Sequence, residues 1–227
     1  MQQLIVKRDE LYGERTEASL KEAIDFLKKE DKGLKFDQTV ELAACLGVDP
    51  RKPDQALRFS ASLPHGTGQD IRVLVFAEDE SIKLAEEAGA AFAGGDELVQ
   101  KVAGGFMDFD LVISTPGMMR QISKLGRVLG PRNLMPNPKF GTVSDNVTEA
   151  VKRAKSGQIR IRTDKAGVVH SRVGKLSFKA DQLIENINFL VAELKRLKPA
   201  ASKGIYLSKV VISTTMGPSI VLDKNTL

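Results

Sequence analysis

The stretch Ile71-Arg72-Val73-Leu74-Val75-Phe76-Ala77 is apolar apart from one arginine and has the length of a single strand. A run without polar alternation is typical of a strand that is buried on both faces of a parallel sheet. The same order continues downstream, with short apolar segments at 92–93 and 110–114 and helical segments at 81–89, 96–103 and 118–125. Apolar strands that alternate with helices predict a Rossmann-like α/β domain over residues 67–156.

The chain on either side of this domain has a different pattern. Apolar residues of one parity predict strands with one buried face, at 36–46, 57–63, 158–163 and 168–171. Amphipathic helices are predicted at 16–29 and 180–198, and further strands at 206–213 and 220–222. Neither end alone has enough strands for a stable sheet. We therefore predict two domains, an α+β domain formed by residues 1–66 and 157–227 and the inserted α/β domain, joined by glycine-bearing crossings that can act as a hinge.

Length and composition exclude several classes of protein. The 227 residues contain no stretch near the ~18 apolar residues that a membrane span requires, so we expect no membrane contact. A single cysteine, Cys45, cannot form an internal disulfide. The first residues have neither an apolar signal core nor a transit pattern, so we expect a cytosolic protein.

The positive charge is concentrated in the last third of the chain. Residues 1–66 and 67–156 each hold 11 basic and 12 acidic side chains, whereas residues 157–227 hold 12 and 5, a net charge of +7. Such a distribution is typical of a protein that meets a polyanion such as nucleic acid or an acidic membrane surface. A solvated basic face is the alternative interpretation.

The usual fingerprints of enzymes are absent from the sequence. Gly66-Thr67-Gly68 precedes its strand, whereas a dinucleotide fingerprint follows a strand and opens a helix. The only two histidines, His65 and His170, have no spacing that suits a zinc site. We expect no cofactor, no metal and no catalytic residue. The alternative is a nucleotide- or phosphate-dependent enzyme that uses the α/β insert. The sequence offers no general base, no set of metal ligands and no phosphate loop for it.

Two segments favour nucleic-acid binding. The first is a predicted basic hairpin, in which alternation with Ile159 and Ile161 places Arg160 and Arg162 on one face, with Lys165 in the turn. His170, late in the same hairpin, could touch a phosphate, and an ordinary surface histidine is the alternative. The second is Thr214-Thr215-Met216-Gly217-Pro218, where hydroxyls, a thioether and a glycine can lie against a sugar edge or a base, or form a turn without such a role.

Six segments in order along the chain closely resemble one family. The longest is Gly126-Arg-Val-Leu-Gly-Pro-Arg-Asn-Leu-Met-Pro-Asn-Pro-Lys-Phe-Gly-Thr142. The others are Lys35–Glu41, Leu63–Gly66, Asp164–Gly167 with His170, Lys198-Pro199 with Lys203-Gly204, and Thr214–Pro218. Together they resemble the bacterial type of the ribosomal protein L-one family, the stalk protein of the large ribosomal subunit. Asn133 and Phe140 depart from the family pattern, which usually has glycine and a small residue there.

This resemblance implies a fold and a set of partners. The family has a terminus-built domain interrupted by an α/β insert, as the periodicity of this chain also predicts. It implies a non-enzymatic ribonucleoprotein that binds large-subunit rRNA at the mobile stalk and helps to release deacylated tRNA from the exit site. It also implies that the same surface binds mRNA of its own operon and represses its translation.

The resemblance also implies which residues contact RNA. They lie at the start of the first strand, on the basic hairpin and in the last turn: Lys35, Phe36, Thr39 and Glu41; Arg162 and Lys165; Thr215, Met216 and Gly217. Arg160 and His170 join them from the hairpin pattern, and Lys209, which replaces a commonly small polar residue, is expected to add a phosphate contact. By parity alone Phe36 is predicted to be buried in the core, so its RNA role rests on the resemblance.

Overall fold

The computed structural model describes residues 17–30, 33–78, 80–202 and 204–224. The chain divides into two compact units. Unit 1 combines the segment up to Gly68 with the segment from Ile159 onward, and unit 2 is Gln69–Gln158. That each unit is an independent domain stays a prediction. The predicted helix start at Thr16 and the motif residue Lys203 lie outside the described residues.

The elements follow one another in a mixed order of helices and strands. In chain order they are α1 (Leu20–Lys29), β1 (Thr39–Leu46), β2 (Arg58–Ser62), β3 (Val73–Phe76), α2 (Glu80–Glu87), β4 (Phe92–Gly94), α3 (Asp96–Ala103), β5 (Leu111–Ser114), α4 (Met119–Ile122), α5 (Gly126–Leu129), α6 (Val147–Lys155), β6 (Gln158–Arg162), β7 (Val168–Lys175), α7 (Ala180–Arg196), β8 (Leu207–Thr214) and β9 (Ser219–Leu222).

Unit 1 is built on a four-stranded sheet of order β7-β1-β8-β9. Both neighbours of β1 run antiparallel to it. Along β1 the even-numbered residues from Val40 to Leu46 are buried, whereas Glu41 is exposed, which is the predicted alternation. The buried residues join the apolar faces of α1 and α7 in one core. One face of the sheet is therefore covered by helices, and we call the other the open face.

Helix α1 begins where the sequence supplies a capping box. The Ser19 side chain accepts a hydrogen bond from the Glu22 N–H, and the Glu22 carboxylate accepts one from the Ser19 N–H. These two bonds satisfy N–H groups that a helix start leaves without an intrahelical partner. Lys28 and Lys29 in the last turn complement the negative end of the helix dipole.

The predicted hairpin of residues 158–171 is wrong. Strand β6 pairs with β2 in a separate two-stranded ribbon, and β7 pairs with β1. Only one bridge, Thr163 to Val169, joins the two predicted arms. The physical reason is ladder length: β7 runs on to Lys175, and the eight-residue β1 offers it a long ladder over the core, which the five-residue β6 does not.

Unit 2 has the predicted parallel sheet, with strand order β4-β3-β5. Every residue of β3 and β5 is buried. Val73 and Val75 pack with α2 and α6 on one face, while Leu74 and Phe76 pack with α3, α4 and α5 on the other. A strand covered on both faces has no solvent-facing positions, which explains why the sequence of 71–77 lacks polar alternation.

The predicted helix of residues 118–125 is broken into shorter pieces. After α4 the backbone tightens into a 3₁₀ turn at Ser123–Leu125, and α5 follows at once. The Ser123 hydroxyl donates to the Met119 carbonyl, a side-chain bond that competes with the regular helical ladder.

In the loop after α5, Asn133 has a φ of 57°, the left-handed region that asparagine tolerates best after glycine. Asparagine therefore suits the left-handed backbone at this position.

Candidate nucleic-acid interface

The turn between β8 and β9 is hydrogen-bonded to the start of β1. The Thr39 N–H donates to Thr215 Oγ1 over 3.1 Å. The Met216 N–H donates to Gln38 Oε1, also over 3.1 Å. These bonds join residues that are more than 170 positions apart in the chain, so the start of β1 and the last turn, which are both predicted to contact RNA, lie together on one surface. We call Phe36, Thr39, Thr215, Met216 and Gly217 the turn patch.

Large apolar side chains of the turn patch are exposed to solvent. Phe36 is 51% exposed and Met216 is 63% exposed. The parity-based prediction that Phe36 is buried is wrong, because β1 begins only at Thr39 and Phe36 precedes the strand. Exposed phenyl and thioether groups are unfavourable in water, and neighbouring ones mark contact surfaces. Lys35, which is also exposed, adds a cation beside them.

Two residues hold the turn patch in its conformation, Gly217 within the turn and Lys175 on the neighbouring strand β7. A Cβ atom at Gly217 would overlap the buried Thr214 hydroxyl, so only glycine fits the turn. Lys175 Nζ donates to Thr39 Oγ1 over 3.1 Å and to the Asp37 carbonyl over 3.3 Å. In the sequence Lys175 is one of the cations that follow the predicted hairpin, but it is not among the predicted RNA-contact residues. Its signal is the register, because Lys175 is the β7 partner of Thr39.

The open face carries three more of the predicted residues along β1. Glu41 lies opposite Arg172 on β7, and His170 lies opposite Ala43. Lys209 on β8 lies opposite Cys45. Directly paired residues point to the same side of a sheet, so all of these side chains share the face that the helices leave open. From Thr39 to Cys45 this surface extends about 20 Å, at ~3.3 Å per residue.

The three cations of the predicted hairpin lie on the β2–β6 ribbon and its turn instead. Ile159 and Ile161 are buried, so Arg160 and Arg162 share the opposite face as predicted. Burial lowers the pKa of the Arg160 guanidinium, which is only partly accessible. Arg162 and Lys165 are exposed. His170 is therefore on the open face, whereas Arg160 and Arg162 lie on the ribbon and Lys165 lies in the turn that follows it.

The turn after β6 connects the ribbon to the open face. The Asp164 carboxylate accepts hydrogen bonds from the N–H groups of Val168 and Ala166, over 2.8 and 2.9 Å. These bonds lower the pKa of Asp164, with the bond from Val168 as the largest cause. The Leu46 N–H donates to the Gly167 carbonyl over 3.0 Å, so the turn is bonded to the end of β1. The candidate residues of the four-stranded sheet, together with this turn, thus follow β1 from its first residue to its last.

Two kinds of site are not found in the part of the chain that the structure describes. No helix there has the length and apolarity to cross a membrane. No cluster of three or more histidine, cysteine or acidic side chains there is arranged to hold a metal ion.

Comparison with known proteins relates the whole chain to one family. Residues 27–218 match the model of the "Ribosomal protein L1p/L10e family". The chain is 49% identical over 225 residues to the "Large ribosomal subunit protein uL1" of Saccharophagus degradans, with 97% of each chain covered. It is 54% identical over 193 residues to the protein of the same name from Hydrogenovibrio crunogenus, covering 85% of this chain and 84% of that one. The chain therefore belongs to the ribosomal protein L1 family.

Proposed function

We propose that unit 1 binds large-subunit rRNA in the cytoplasmic ribosome through the turn patch and the open face. The observation that carries this proposal is the bonded contact of Thr39 with Thr215, flanked by the exposed Phe36 and Met216. The family is a structural, non-enzymatic constituent of the large ribosomal subunit, and this chain is therefore not an enzyme.

The chemistry of the turn patch suits RNA better than it suits a duplex of DNA. Threonine hydroxyls can exchange hydrogen bonds with a ribose 2′-OH, which distinguishes RNA from DNA. The absence of a side chain at Gly217 lets the turn close against the Thr214 hydroxyl, while the exposed Phe36 and Met216 offer apolar contact to a base. Lys35 and Lys209 lie at opposite ends of the surface, where their exposed ammonium groups can contact phosphates.

Two finer roles belong to the same proposal. Other RNAs that present the same shape would occupy the same surface, because recognition by shape and 2′-OH groups does not depend on a long base sequence. The chain would in this way bind a structure in its own operon's mRNA and repress its translation. As part of the stalk it would contact exit-site tRNA and help its release. Both roles follow from the family resemblance and from the RNA-binding surface proposed for unit 1.

The salt dependence of rRNA binding tests the electrostatic part of the proposal. We expect the affinity of the full chain for purified large-subunit rRNA to fall linearly on a logarithmic scale as salt rises, because bound phosphates release counterions. For four phosphate contacts the slope is about −3 to −4. Filter binding at several salt concentrations measures it. A flat response would contradict phosphate contacts by Lys35, Arg162, Lys165 and Lys209.

Deleting unit 2 tests the assignment of RNA binding to unit 1. The cores of the two units are separate clusters, so residues 1–66 joined to 157–227 should keep their own core. We expect this shortened chain to bind rRNA within about three-fold of the full chain, since the proposed contacts all lie in unit 1. Residues 67–156 alone serve as the control. Equal binding by that fragment would overturn the assignment.

A further inference from the structure

A surface cavity of about 660 Å³ lies in unit 1 beside the β2–β6 ribbon. Its volume is in the range of small-molecule sites, roughly 300–1,000 Å³. Four of the lining side chains are cationic and one is anionic: Arg51, Arg58, Arg162 and Lys165, with Asp164. Pro50 and Ala56 provide an apolar wall. We call this cavity the basic pocket.

Hydrogen bonds hold the walls of the basic pocket in place. The Arg51 N–H donates to the Asp49 carboxylate over 3.1 Å, and the Asp49 N–H donates to Gln55 Oε1 over 2.7 Å. The Thr163 N–H donates to the Leu57 carbonyl over 3.2 Å, which ties the loop before β2 to the end of β6. A pocket whose backbone is already ordered loses less conformational entropy when a ligand binds.

The charge inside the basic pocket favours an anion. Among the described residues that line the pocket Asp164 is the one acidic side chain, and its Oδ1 accepts hydrogen bonds from the N–H groups of Val168 and Ala166. Four cations against one anion leave a net charge of +3 on the lining. Three of the four cations are arginines, whose planar guanidinium groups bind phosphate oxygens in pairs. The apolar wall of Pro50 and Ala56 suits a sugar or a base rather than a bare inorganic anion.

We propose that the basic pocket holds one nucleotide of the bound RNA, a contact that rests on the proposed function and extends it beyond the open face. Arg51, Arg58 and Arg162 bind its phosphate, and Pro50 with Ala56 contacts its sugar or base. Lys165 and Asp164 belong to the turn that is bonded to the end of β1, so an RNA strand on the open face can continue into the pocket. Arg51 and Arg58 are the new RNA-binding residues.

A double substitution in the full chain tests this pocket. We expect Arg51→Ala with Arg58→Ala to weaken binding to purified large-subunit rRNA about ten-fold and to reduce the salt slope by about 1.4–1.8, the effect of two lost phosphate contacts. The control is Arg120→Ala with Arg127→Ala, which removes two exposed arginines from unit 2 and should leave affinity and slope unchanged. Filter binding over a salt series measures both variants.

Each outcome decides for or against the pocket. If the wild-type chain binds rRNA and the Arg51/Arg58 double variant has the same affinity and slope, the pocket is overturned while the proposed function stands. If the wild-type chain does not bind, the proposed function itself fails. Adenosine monophosphate bound as tightly as rRNA would identify a metabolite site and also overturn the inference.

A second pair of substitutions serves if the alanine variant unfolds. Arg51→Lys with Arg58→Lys keeps both charges. We then expect an unchanged salt slope and an affinity about three-fold lower, from the lost paired bonds; wild-type affinity would count against the pocket.

Discussion

Replacing Met216 by aspartate is expected to weaken rRNA binding by about 1–3 kcal/mol, the range of a lost stacking or specific contact on single-stranded nucleic acid. The side chain is 63% exposed at the tip of the turn between β8 and β9, so the substitution should not disturb the core. Aspartate removes the thioether from the turn patch and adds a negative charge that repels phosphate. Affinity from filter binding, together with an unchanged circular dichroism spectrum, measures the effect.

Ile205 offers a matched control for this experiment. It belongs to the same unit, is 75% exposed and lies outside the turn patch. Ile205→Asp therefore also replaces an exposed apolar side chain by a carboxylate, but away from the proposed RNA contact. We expect Ile205→Asp to keep wild-type affinity. Equal loss of affinity in both variants would mean that added charge alone weakens binding. Wild-type affinity in a folded Met216→Asp variant would remove the turn from the interface.

The second large effect is expected on stability, at Asn186 in helix α7. Its side chain is fully buried. Its Oδ1 accepts from the His65 N–H over 3.1 Å, and its Nδ2 donates to the carbonyls of Gly66 and Val173 over 3.1 and 2.8 Å. Asn186→Leu keeps a similar volume but removes all three bonds, at about 1–3 kcal/mol for the buried Val173 carbonyl and less for each of the two part-buried groups. We expect the free energy of unfolding of unit 1 to fall by about 3 kcal/mol or more.

Chemical denaturation followed by tyrosine fluorescence measures this loss. The sequence has no tryptophan, and residues 69–158 contain no tyrosine, so the signal does not come from unit 2. Glu185→Ala is the control, because the neighbouring Glu185 carboxylate pairs with His65 at the surface over 2.5 Å. Exposed ion pairs contribute less than about 1 kcal/mol, so this variant should remain close to wild type. Equal stability of Asn186→Leu would show that the buried amide is dispensable.

Much of the structure of unit 2 can be predicted from local sequence because its strands β3 and β5 are buried on both faces. The run from Ile71 to Ala77 has no polar alternation, and the structure shows why: alternate residues of β3 enter two different cores. The helix predicted at 118–125 forms, but a local feature that periodicity does not show interrupts its regular geometry. Side-chain hydrogen bonding by Ser123 and a 3₁₀ turn divide it, although its buried residues Ile122 and Leu125 still pack on the sheet.

Strand pairing in unit 1 is the part that periodicity could not predict. A period of two identifies β6 and β7 as strands and assigns their buried faces, but it carries no information about partners. The short connection at Asp164–Gly167 favoured a hairpin, yet β7 forms its ladder with β1, more than 120 positions away in the chain. The choice of partner depends on how much apolar surface the whole sheet buries, which is a property of the assembled core.

For the candidate site, the sequence by itself determined the residue types and most of their positions. The alternation along β1, the cations of β6 and the Thr214–Pro218 turn are all visible in the printed chain. Only the tertiary structure decided that Thr39 bonds Thr215, that Phe36 stands outside the strand and that Arg51 and Arg58 share a cavity with Arg162. The physical reason is that periodicity follows from local backbone geometry, whereas these contacts exist only once distant segments bury their common apolar face.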